Sequence, residues 1–457
     1  MKISVVGTGY VGLVTGTCLS EVGNEVTCID IDSIKIDKLK QGISPIHEEF
    51  LDEMIARNIA KNRLSFTTSM KNGIKDSKVV FIAVGTPSLE NGEVDMSQVD
   101  SVAREIGTYL NDYKVIVNKS TVPVGSCQRV KSIIKNNLDN KNASFDVVSN
   151  PEFLREGTAV FDTFNGDRIV IGSNSPRATS ILTEIYNSFN TDYLITNPES
   201  SEMIKYASNA FLATKISFIN EIANLCEKVG ADVREVAKGM GMDNRIGNKF
   251  LKAGIGFGGA CFPKDVSGLI KIGEEANYSF GIIKEVINVN KKQRIKPIAT
   301  LLDAFESLDG LTIGLLGLAF KPGTDDLREA PSFFISEELH KLGANIKAYD
   351  PVAHKNAIDN ISTPINYCEN PYETVKNCDA IILVTEWPQF KRLKMDDVRN
   401  LMKGNVLVDG RNLYNHIEMK KIGFDYYGVG IGSNEYSSST TNLNALDKTK
   451  NKESIVV

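Results

Sequence analysis

The stretch from Gly254 to Asp265, Gly-Ile-Gly-Phe-Gly-Gly-Ala-Cys-Phe-Pro-Lys-Asp, sets one thiol between a glycine-rich loop and a predicted helix start. Its glycines allow the backbone to adopt positive φ or to approach a ligand closely, and Pro263 suits a first helical turn. A thiol before a helix N-terminus and beside a lysine is favoured as the reactive thiolate. Cys261 is therefore a candidate nucleophile, and the alternative is a small buried hydrophobic residue.

Two further segments carry groups for acid–base chemistry. In Asn-Pro-Glu-Phe-Leu-Arg-Glu-Gly (150–157), which follows a predicted strand, Glu152 and Glu156 are four residues apart and could share one face of a short helix. A solvated acidic turn explains them equally well. Lys205 and Asn209 have the same spacing on a predicted long helix, where a partly buried lysine can act as a base or stabilise an oxyanion. A snorkelling surface lysine is the alternative.

A nucleotide site is predicted at the N-terminus. The apolar strand 2–6 leads into Gly-Thr-Gly-Tyr-Val-Gly (7–12), a helical run and a second strand, 25–29, which Asp30 closes. This is the strand–turn–helix–strand context of the dinucleotide fingerprint, and the carboxylate favours NAD because it would repel the 2′-phosphate of NADP. A nucleotide-free α/β turn is the alternative.

Threonines end two later strands of this first region. Thr86 lies in Gly-Thr-Pro after strand 79–84, and Thr121 lies in Ser-Thr-Val-Pro-Val-Gly after strand 115–118. Ligands of open α/β sheets bind beyond the carboxyl ends of the strands, so both threonines are expected to meet the cofactor. Threonines also cap helices routinely.

A helix is predicted from Asn197 to Val229, because Asn-Pro-Glu is a strong start and Gly230 a stop. At about 1.5 Å per residue it is ~48 Å long, a length that suits a bridge between domains or a dimer interface. A second long helix is predicted over 282–305. Strand–helix alternation then resumes from 311.

The second alternating region lacks a glycine fingerprint. Its loop from Gly317 to Arg328 instead presents Lys321 and Arg328 before a helix, a plausible phosphate clamp, and Arg411 adds a third cation. Ordinary solvated loop charge is the alternative for each of them.

The composition excludes several classes of function. With 457 residues and a net charge of -5, the chain has no general attraction to nucleic acid or to an anionic membrane. It shows no secretory signal and no apolar run of the roughly 18 residues that a membrane span needs. Seven scattered cysteines and four dispersed histidines predict a reducing cytoplasm and no metal site.

We predict an α/β protein with two Rossmann-like, doubly wound domains joined by a long central helix and a helical central region. The predicted boundaries are 1–196 for the NAD-binding domain, 197–308 for the helical central region, and 309–432 for the second Rossmann-like domain. The segment from 433 to 457 is polar and without apolar periodicity, which predicts a disordered tail.

Taken in order, these motifs resemble the UDP-glucose/GDP-mannose dehydrogenase family over roughly residues 1–430. The motifs that carry the resemblance are the glycine fingerprint, the strand-end turns with Thr86 and Thr121, the segment 150–157, Glu-Met-Ile-Lys-Tyr-Ala-Ser-Asn (202–209), the cysteine loop and Ala-Phe-Lys-Pro-Gly (319–323). One departure is Ala260, where serine is frequent.

The resemblance implies a homodimer that oxidises UDP-glucose at C6 to UDP-glucuronate with NAD, through a covalent cysteine thiohemiacetal and thioester. It also implies that the region 197–308 serves catalysis and dimerisation and that 309–432 is the UDP-sugar-binding domain. The composition predicts a soluble protein, and the cysteine usage predicts a cytoplasmic one. The implied catalytic residues are Cys261, Lys205, Asn209, Asp265, Thr121 and Glu152. The implied NAD contacts are Gly7, Gly9, Tyr10, Val11, Gly12, Asp30, Lys35, Thr86, Thr121, Glu156, Lys264 and Arg328. The implied substrate contacts are Phe153, Leu154, Glu156, Lys205, Asn209, Phe250, Gly258, Phe262 and Lys321, with Arg245 reaching into the site of the neighbouring subunit.

Two alternatives stay open at this stage. One is a related dehydrogenase that acts on GDP-mannose or on another nucleotide sugar. The other is a catalytically silent nucleotide-sugar sensor on the same fold. The intact set of Cys261, Lys205 and Asp265 argues against the sensor.

Overall fold

A computed structural model describes residues 1–432 of the chain, so the predicted tail from Ser433 lies outside the described residues. The chain divides into two compact units, Met1–Asn209 with Lys264–Ser279 and Ala210–Pro263 with the chain from Phe280 onward. The domain boundaries given above stay predictions.

The first unit is built on an eight-stranded sheet with the strand order β3-β2-β1-β4-β5-β6-β7-β8. Its strands are β1 (Lys2–Val6), β2 (Glu25–Ile29), β3 (Leu64–Thr67), β4 (Val79–Ile82), β5 (Lys114–Asn118), β6 (Phe145–Ser149), β7 (Ile169–Gly172) and β8 (Tyr193–Thr196). All neighbours are parallel except β6 and β7, which are antiparallel. Every residue of β4 and β5 is buried, as expected for parallel strands covered on both faces.

The helices of this unit are α1 (Tyr10–Glu21), α2 (Ser33–Lys40), α3 (Leu51–Ala60), α4 (Met70–Ile74), α5 (Ser97–Tyr109), α6 (Ser126–Asn136), α7 (Ala159–Phe164) and α8 (Pro176–Tyr186). Helix α9 (Pro198–Val229) begins in the first unit and ends in the second. The predicted cap of α9 is confirmed, because Asn197 Oδ1 accepts a hydrogen bond from the amide of Ser200 at 2.7 Å.

The second unit holds a six-stranded, fully parallel sheet with the order β11-β10-β9-β12-β13-β14. Its strands are β9 (Thr312–Leu316), β10 (Asn345–Tyr349), β11 (Asn366–Tyr367), β12 (Ala380–Leu383), β13 (Val406–Asp409) and β14 (Asp425–Gly428). The reversal of strand order at β9 is the doubly wound pattern, so the predicted fold class of two Rossmann-like domains is confirmed.

The remaining helices are α10 (Val233–Gly241), α11 (Phe262–Glu275), α12 (Ile282–Arg294), α13 (Lys296–Ala304), α14 (Pro331–Lys341), α15 (His354–Asn360), α16 (Pro371–Val375), α17 (Pro388–Lys391), α18 (Met395–Leu401) and α19 (His416–Ile422). The predicted single helix over 282–305 is wrong, since it breaks at Ile295 into α12 and α13. Pro297 explains the break, because its ring removes a backbone donor and clashes with the preceding turn.

The seven cysteines, all within residues 1–432, form no disulfide with one another. Within residues 1–432, no helix is both long enough and apolar enough to cross a bilayer.

Candidate active site

The glycine fingerprint forms a tight turn with one open side. Gly7 has a φ of +98°, and a Cβ at Gly12 would lie 1.9 Å from the carbonyl oxygen of Gly7, so both positions require glycine. At Gly9, by contrast, a Cβ would meet no atom within 4 Å. The turn feeds directly into helix α1, whose N-terminus attracts anions. The open side and the helix start fit the pyrophosphate of a dinucleotide.

Asp30 lies at the end of β2, as the sequence predicts. Its Oδ2 accepts hydrogen bonds from the amide and the hydroxyl of Thr8, at 2.8 and 2.6 Å, and from Lys35 Nζ at 3.2 Å. Burial acts to raise the pKa of the Asp30 carboxyl, but these donors and the amide of Asp32 hold it below its usual value. The carboxylate is therefore ionised at neutral pH, as the ribose interaction requires.

The two predicted threonine turns meet at the ends of β4 and β5. Thr86 Oγ1 donates to the carbonyl of Thr121 at 2.9 Å, and Ser120 Oγ donates to the carbonyl of Val84 at 2.6 Å. Both threonines are buried. These bonds fix one strand-end turn against the other.

Glu48, which the sequence analysis did not single out, joins the fingerprint to the segment 150–157. Its Oε2 accepts from the Tyr10 hydroxyl and, at 2.8 Å, from the amide of Gly157, which also lies 2.7 Å from the Tyr10 oxygen. Burial raises the pKa of Glu48, although the backbone amides of Val160, Gly157 and Ala159 oppose the rise. No local motif marks this glutamate, because its partners Tyr10 and Gly157 lie 38 and 109 positions away along the chain.

Glu152 and Lys205 form a buried ion pair within the first unit. Lys205 Nζ donates to Glu152 Oε1 at 2.8 Å, and the amide of Leu154 donates to Oε2 at 2.7 Å. Burial acts to raise the pKa of Glu152, but the charge and hydrogen bond of Lys205, the Leu154 amide and the charge of Lys119 hold it below its usual range. Glu152 is therefore a carboxylate at neutral pH.

Of the two alternatives left open for 150–157, the short helix does not form, because this segment is an irregular loop. Glu152 and Glu156 consequently do not share a helical face. The solvated acidic turn does not describe Glu152 either, because that side chain is buried. The Glu152 carboxylate bonds to the amide two residues ahead, a local contact that competes with helix formation, and Gly157 adopts a φ of +82°.

The ring of Phe153, a predicted substrate contact, lies close to two cations. The guanidinium carbon of Arg168 is 3.8 Å from its ring centroid, and Lys205 Nζ is 5.4 Å away. Arg168 also donates to Ser208 on α9 at 3.2 Å. The sequence analysis missed Arg168, which has no neighbouring motif.

Asn209 and Asp265, both predicted catalytic residues, form a second buried contact. Asn209 Nδ2 donates to Asp265 Oδ2 at 2.5 Å, and Lys264 Nζ lies 2.7 Å from Asp265 Oδ1. The Asp265 side chain is 1% exposed, so the lysine supplies a needed counter-charge. The structure thus pairs Lys264, a predicted NAD contact, with a predicted catalytic carboxylate.

In the second unit, Cys261 directly precedes α11, so the predicted helix start is confirmed. The glycine-rich loop before it is held by amide side chains. Asn290 brackets Phe257 with two hydrogen bonds of 2.8 and 3.0 Å, and Gly254 is bound by Asn220 Oδ1 at 2.9 Å and by Gln293 Nε2 at 2.8 Å. None of these three polar residues was predicted, since they lie on distant helices.

Two arginines complete the support of this loop. Arg294 Nη2 donates to the carbonyl of Phe257 at 3.0 Å, and Arg411 Nη1 donates to that of Gly256 at 3.0 Å. Arg411, a predicted phosphate ligand, also donates to the carbonyl of Val384.

Gly258 is required by the protein's own backbone. A Cβ there would lie 2.3 Å from the carbonyl oxygen of Glu329. The next residue, Gly259, has a φ of +83° and donates its amide to the carbonyl of Arg328 at 2.8 Å. The cysteine loop is therefore tied to the predicted phosphate-binding loop of the same unit.

The other predicted ligand contacts of the second unit are also placed. The rings of Phe250 and Phe262 lie 6.2 Å apart, and Lys321 Nζ lies 5.5 Å from the ring centroid of Phe320. Two predicted arginines form forked ion pairs with neighbouring carboxylates, Arg245 with Asp243 and Arg328 with Asp326, at 2.6 and 2.7 Å. Arg245 is 88% exposed.

Family models match the chain in three consecutive pieces. The NAD binding domain of the UDP-glucose/GDP-mannose dehydrogenase family matches residues 1–190, its central domain matches 199–292 and its UDP binding domain matches 314–416. The chain belongs to this family. It is an NAD-dependent dehydrogenase, as the resemblance of its motifs implies.

Individual relatives support the same assignment. UDP-glucose 6-dehydrogenase TuaD of Bacillus subtilis (strain 168) is 51% identical over 429 residues, which cover 94% of this chain and 93% of the relative. The structure of a UDP-glucose dehydrogenase from Pyrobaculum islandicum matches with a TM-score of 0.89 and 35% identity, covering 94% of this chain and 98% of its own. A UDP-D-ManNAc dehydrogenase structure from Pyrococcus horikoshii matches at 0.84 with 26% identity, covering 94% and 100%.

Proposed function

We propose that this protein oxidises UDP-glucose at C6 to UDP-glucuronate. The observation that carries the proposal is the pair of buried contacts on α9, Lys205 with Glu152 and Asn209 with Asp265. They place a cation, an amide and two carboxylates on one helix face and its neighbours, the equipment for alcohol oxidation followed by hydrolysis. The 51% identity to a UDP-glucose 6-dehydrogenase supports the choice of substrate.

The overall reaction takes one alcohol, two NAD and one water to a carboxylate, two NADH and three protons. NAD, when bound, accepts two electrons in each oxidation. In the first oxidation the C6 hydroxyl loses its proton to a base, and Lys205 with the Asn209 amide stabilises the charge on the oxygen. A well-placed donor of this kind contributes about 3–4 kcal/mol.

The second oxidation needs the aldehyde to be retained. We assign this to Cys261, whose thiolate adds to the C6 carbon to form a thiohemiacetal. Oxidation of that adduct gives a thioester. Water then attacks the acyl carbon, the sulfur leaves as thiolate and the acid is released. Glu152 or Asp265 takes the proton of the water, which Thr121 helps to hold.

The remaining predicted contacts are proposed to hold the ligands. Asp30, Lys35 and the fingerprint bind NAD, while Lys321 binds the pyrophosphate of the substrate. The aromatic residues Phe153 and Phe250 line the sugar-nucleotide site. The other proposed contacts of the sugar nucleotide are Leu154, Glu156, Gly258 and Phe262. The other proposed contacts of NAD are Thr86, Lys264 and Arg328.

The test is the reduction of NAD with purified protein and candidate sugars. With UDP-glucose, we expect the absorbance of NADH to show that two NADH form for each UDP-glucose consumed. GDP-mannose and UDP-N-acetylmannosamine are the controls, because related dehydrogenases act on such substrates. Turnover only with GDP-mannose or another nucleotide sugar would select that alternative, and tight binding without turnover would select the sensor.

We also propose a homodimer formed through α9. Phe211, Phe218 and Leu225 are spaced by seven residues along this helix and are 65%, 46% and 54% exposed. Seven-residue spacing places them on one stripe, and large exposed apolar stripes mark interfaces. Arg245, which is itself exposed, is proposed to reach the site of the partner subunit.

A cytoplasmic location is proposed because the seven cysteines, all within residues 1–432, form no disulfide with one another. The domain roles are proposed with the boundaries predicted above, 1–196 for NAD, 197–308 for dimerisation and catalysis, and 309–432 for the UDP-sugar. The matched family models, 1–190, 199–292 and 314–416, support this division.

A further inference from the structure

Lys119 is a second buried lysine beside the Glu152 segment. It follows β5, is 9% exposed and is anchored by its amide, which donates to the carbonyl of Ile82 at 2.9 Å. Its Nζ donates to Asn150 Oδ1 at 3.1 Å and lies 5.9 Å from the ring centroid of Tyr186. Burial of a cation costs free energy unless the charge is hydrogen-bonded or paired.

Several hydrogen bonds fix Asn150, and they therefore also fix the start of the loop 150–157. Its Nδ2 donates to the carbonyl of Val170 at 2.7 Å, its amide donates to the carbonyl of Asn118 at 2.9 Å, and its Oδ1 also accepts from the Tyr186 hydroxyl at 2.5 Å. Lys119 therefore fixes the first residue of the segment that carries Glu152 two positions later.

The charges around Glu152 are unequal. Within residues 1–432, Lys119 has no carboxylate in salt-bridge contact, whereas Glu152 already pairs with Lys205. The charges of two buried lysines, Lys205 and Lys119, thus act on one carboxylate. Burial lowers the pKa of Lys119 to about 8, with the charge of Glu152 opposing the shift and that of Lys205 adding to it. Lys119 is consequently charged at neutral pH and neutral in alkaline solution.

We propose that Lys119 is a positioning residue that holds the Asn150–Glu152 segment in place and keeps Glu152 ionised for hydrolysis of the acyl intermediate. The proposal rests on the proposed function for its catalytic consequence. During turnover, Lys205 is drawn toward the C6 oxygen of the substrate, and its stabilising effect on Glu152 weakens. The charge of Lys119, which touches Asn150 and not the reacting atoms, remains.

The first test compares Lys119→Met, which keeps the length but removes the charge, with Lys119→Arg and with Tyr186→Phe. The phenylalanine variant removes a hydrogen bond to the same Asn150 oxygen without a change of charge. For Lys119→Met, we expect the ratio of its kcat to that of the unchanged protein to fall several-fold from pH 8 to pH 5. Above about pH 8 the ratio should level off, because the native lysine loses its charge there.

The ratios for Lys119→Arg and Tyr186→Phe should stay constant with pH. A constant ratio for Lys119→Met, or the same pH dependence in Tyr186→Phe, would show that Lys119 is only a packing residue. If Lys119→Met does not fold, Lys119→Gln takes its place in the same comparison. In a Glu152→Gln background, removal of Lys119 should have no pH-dependent effect, because the two residues act through one carboxylate.

A second measurement does not require turnover. The Glu152 carboxyl is titrated by carbon NMR of protein labelled at the glutamate carboxyl carbon, and Glu152→Gln assigns the signal. We expect the midpoint to rise by on the order of one pH unit in Lys119→Met. An unchanged midpoint overturns the proposal. If the unchanged protein fails to oxidise UDP-glucose but the midpoint still shifts, only the proposed reaction is lost.

Discussion

Lys205 Nζ lies 2.8 Å from Glu152 Oε1, and the two side chains are only 4% and 6% exposed. At this depth the two charges depend on each other, because an isolated buried ion is strongly unfavourable. Removal of either partner therefore alters both the oxyanion-stabilising lysine and the carboxylate proposed for hydrolysis. A variant at Cys261 separates the covalent step from the other chemical steps, because the thiol belongs neither to this ion pair nor to that of Lys264 with Asp265.

Replacement of Cys261 by serine should stop the formation of UDP-glucuronate while binding of UDP-glucose and NAD stays near normal. A hydroxyl is a far weaker nucleophile than a thiolate, so the covalent route closes. We expect kcat to fall on the order of 10³-fold or more. When the C6 aldehyde of UDP-glucose is supplied as the substrate, its oxidation should be slowed by a similar factor. Stopped-flow absorbance of NADH measures this rate.

Mass spectrometry supplies the complementary observation, because Glu152→Gln should accumulate a glucuronyl adduct on Cys261. Cys226→Ser, at a buried thiol outside the proposed site, is the control and should retain turnover. Near-normal UDP-glucuronate production by Cys261→Ser would remove the covalent mechanism.

Asp30→Ala should weaken the binding of NAD and reduce the ratio of the affinity for NAD to that for NADP. The carboxylate, which Thr8 and Lys35 hold ionised, would no longer accept the ribose hydroxyls. Charge-assisted hydrogen bonds contribute about 1.5–3 kcal/mol, so the KM for NAD should rise about tenfold or more. Steady-state kinetics with both cofactors measures this. Asp37→Ala, which removes an exposed carboxylate from α2, should change neither KM.

Tyr206→Phe should leave the protein as stable as before or make it more stable. The Tyr206 hydroxyl is fully buried and has no hydrogen-bond partner among residues 1–432, so its removal relieves a desolvation cost of about 1–3 kcal/mol. Tyr206→Ala, which also removes the ring, should cost about 3–5 kcal/mol. Urea unfolding compares the two, and a clear loss of stability in the phenylalanine variant would reveal a missing partner of the hydroxyl.

Lys119→Met should change the pH dependence of stability. The pKa of Lys119 is lowered from 10.5 to about 8 in the folded state, so the unfolded chain binds its proton more tightly. The native protein therefore gains stability as pH rises from about 8 to 10.5, by on the order of 3 kcal/mol, and the methionine variant lacks this gain. The difference in free energy of unfolding between the two proteins, measured at pH 7 and pH 10.5, should show it. Equal differences at the two pH values contradict the prediction.

Phe218→Glu should convert the protein to a folded monomer. A charge in the centre of the apolar stripe on α9 cannot be desolvated in an interface without a partner. Sedimentation velocity measures the change of mass, and circular dichroism checks the fold. Ile358→Glu places the same charge at another exposed apolar residue, 53% exposed on α15, and should not alter the mass. A dimeric Phe218→Glu would place the subunit interface elsewhere.

The central strands of the two sheets, the fingerprint and the start of α11 could be predicted because their signals are local. The strands β3, β7, β8, β11 and β14 were not predicted. Asp30, Cys261 and the Asn197 cap each follow from a few neighbouring residues. The break at Ile295 was missed because the apolar periodicity continues across Pro297, although proline is a known helix breaker. The sequence left a short helix and an acidic turn equally open over 150–157, because glutamate spacing alone does not report the contact of Glu152 with its own backbone.

The supporting residues of the site could not be predicted from spacing. Lys119, Glu48 and Arg168 act on partners 31, 109 and 40 positions away along the chain. Only the folded chain brings such pairs together, since a single sequence carries no signal for contacts at this separation.

The cysteine loop is held largely by the neutral amides of Asn220, Asn290 and Gln293. Such bonds are not weakened by dissolved ions in the way that exposed charge pairs are. The setting of the thiol should therefore vary little with ionic strength. Any response of turnover to added potassium chloride would then report on how the two anionic nucleotides are captured, which makes a simple salt series a way to separate ligand capture from chemistry.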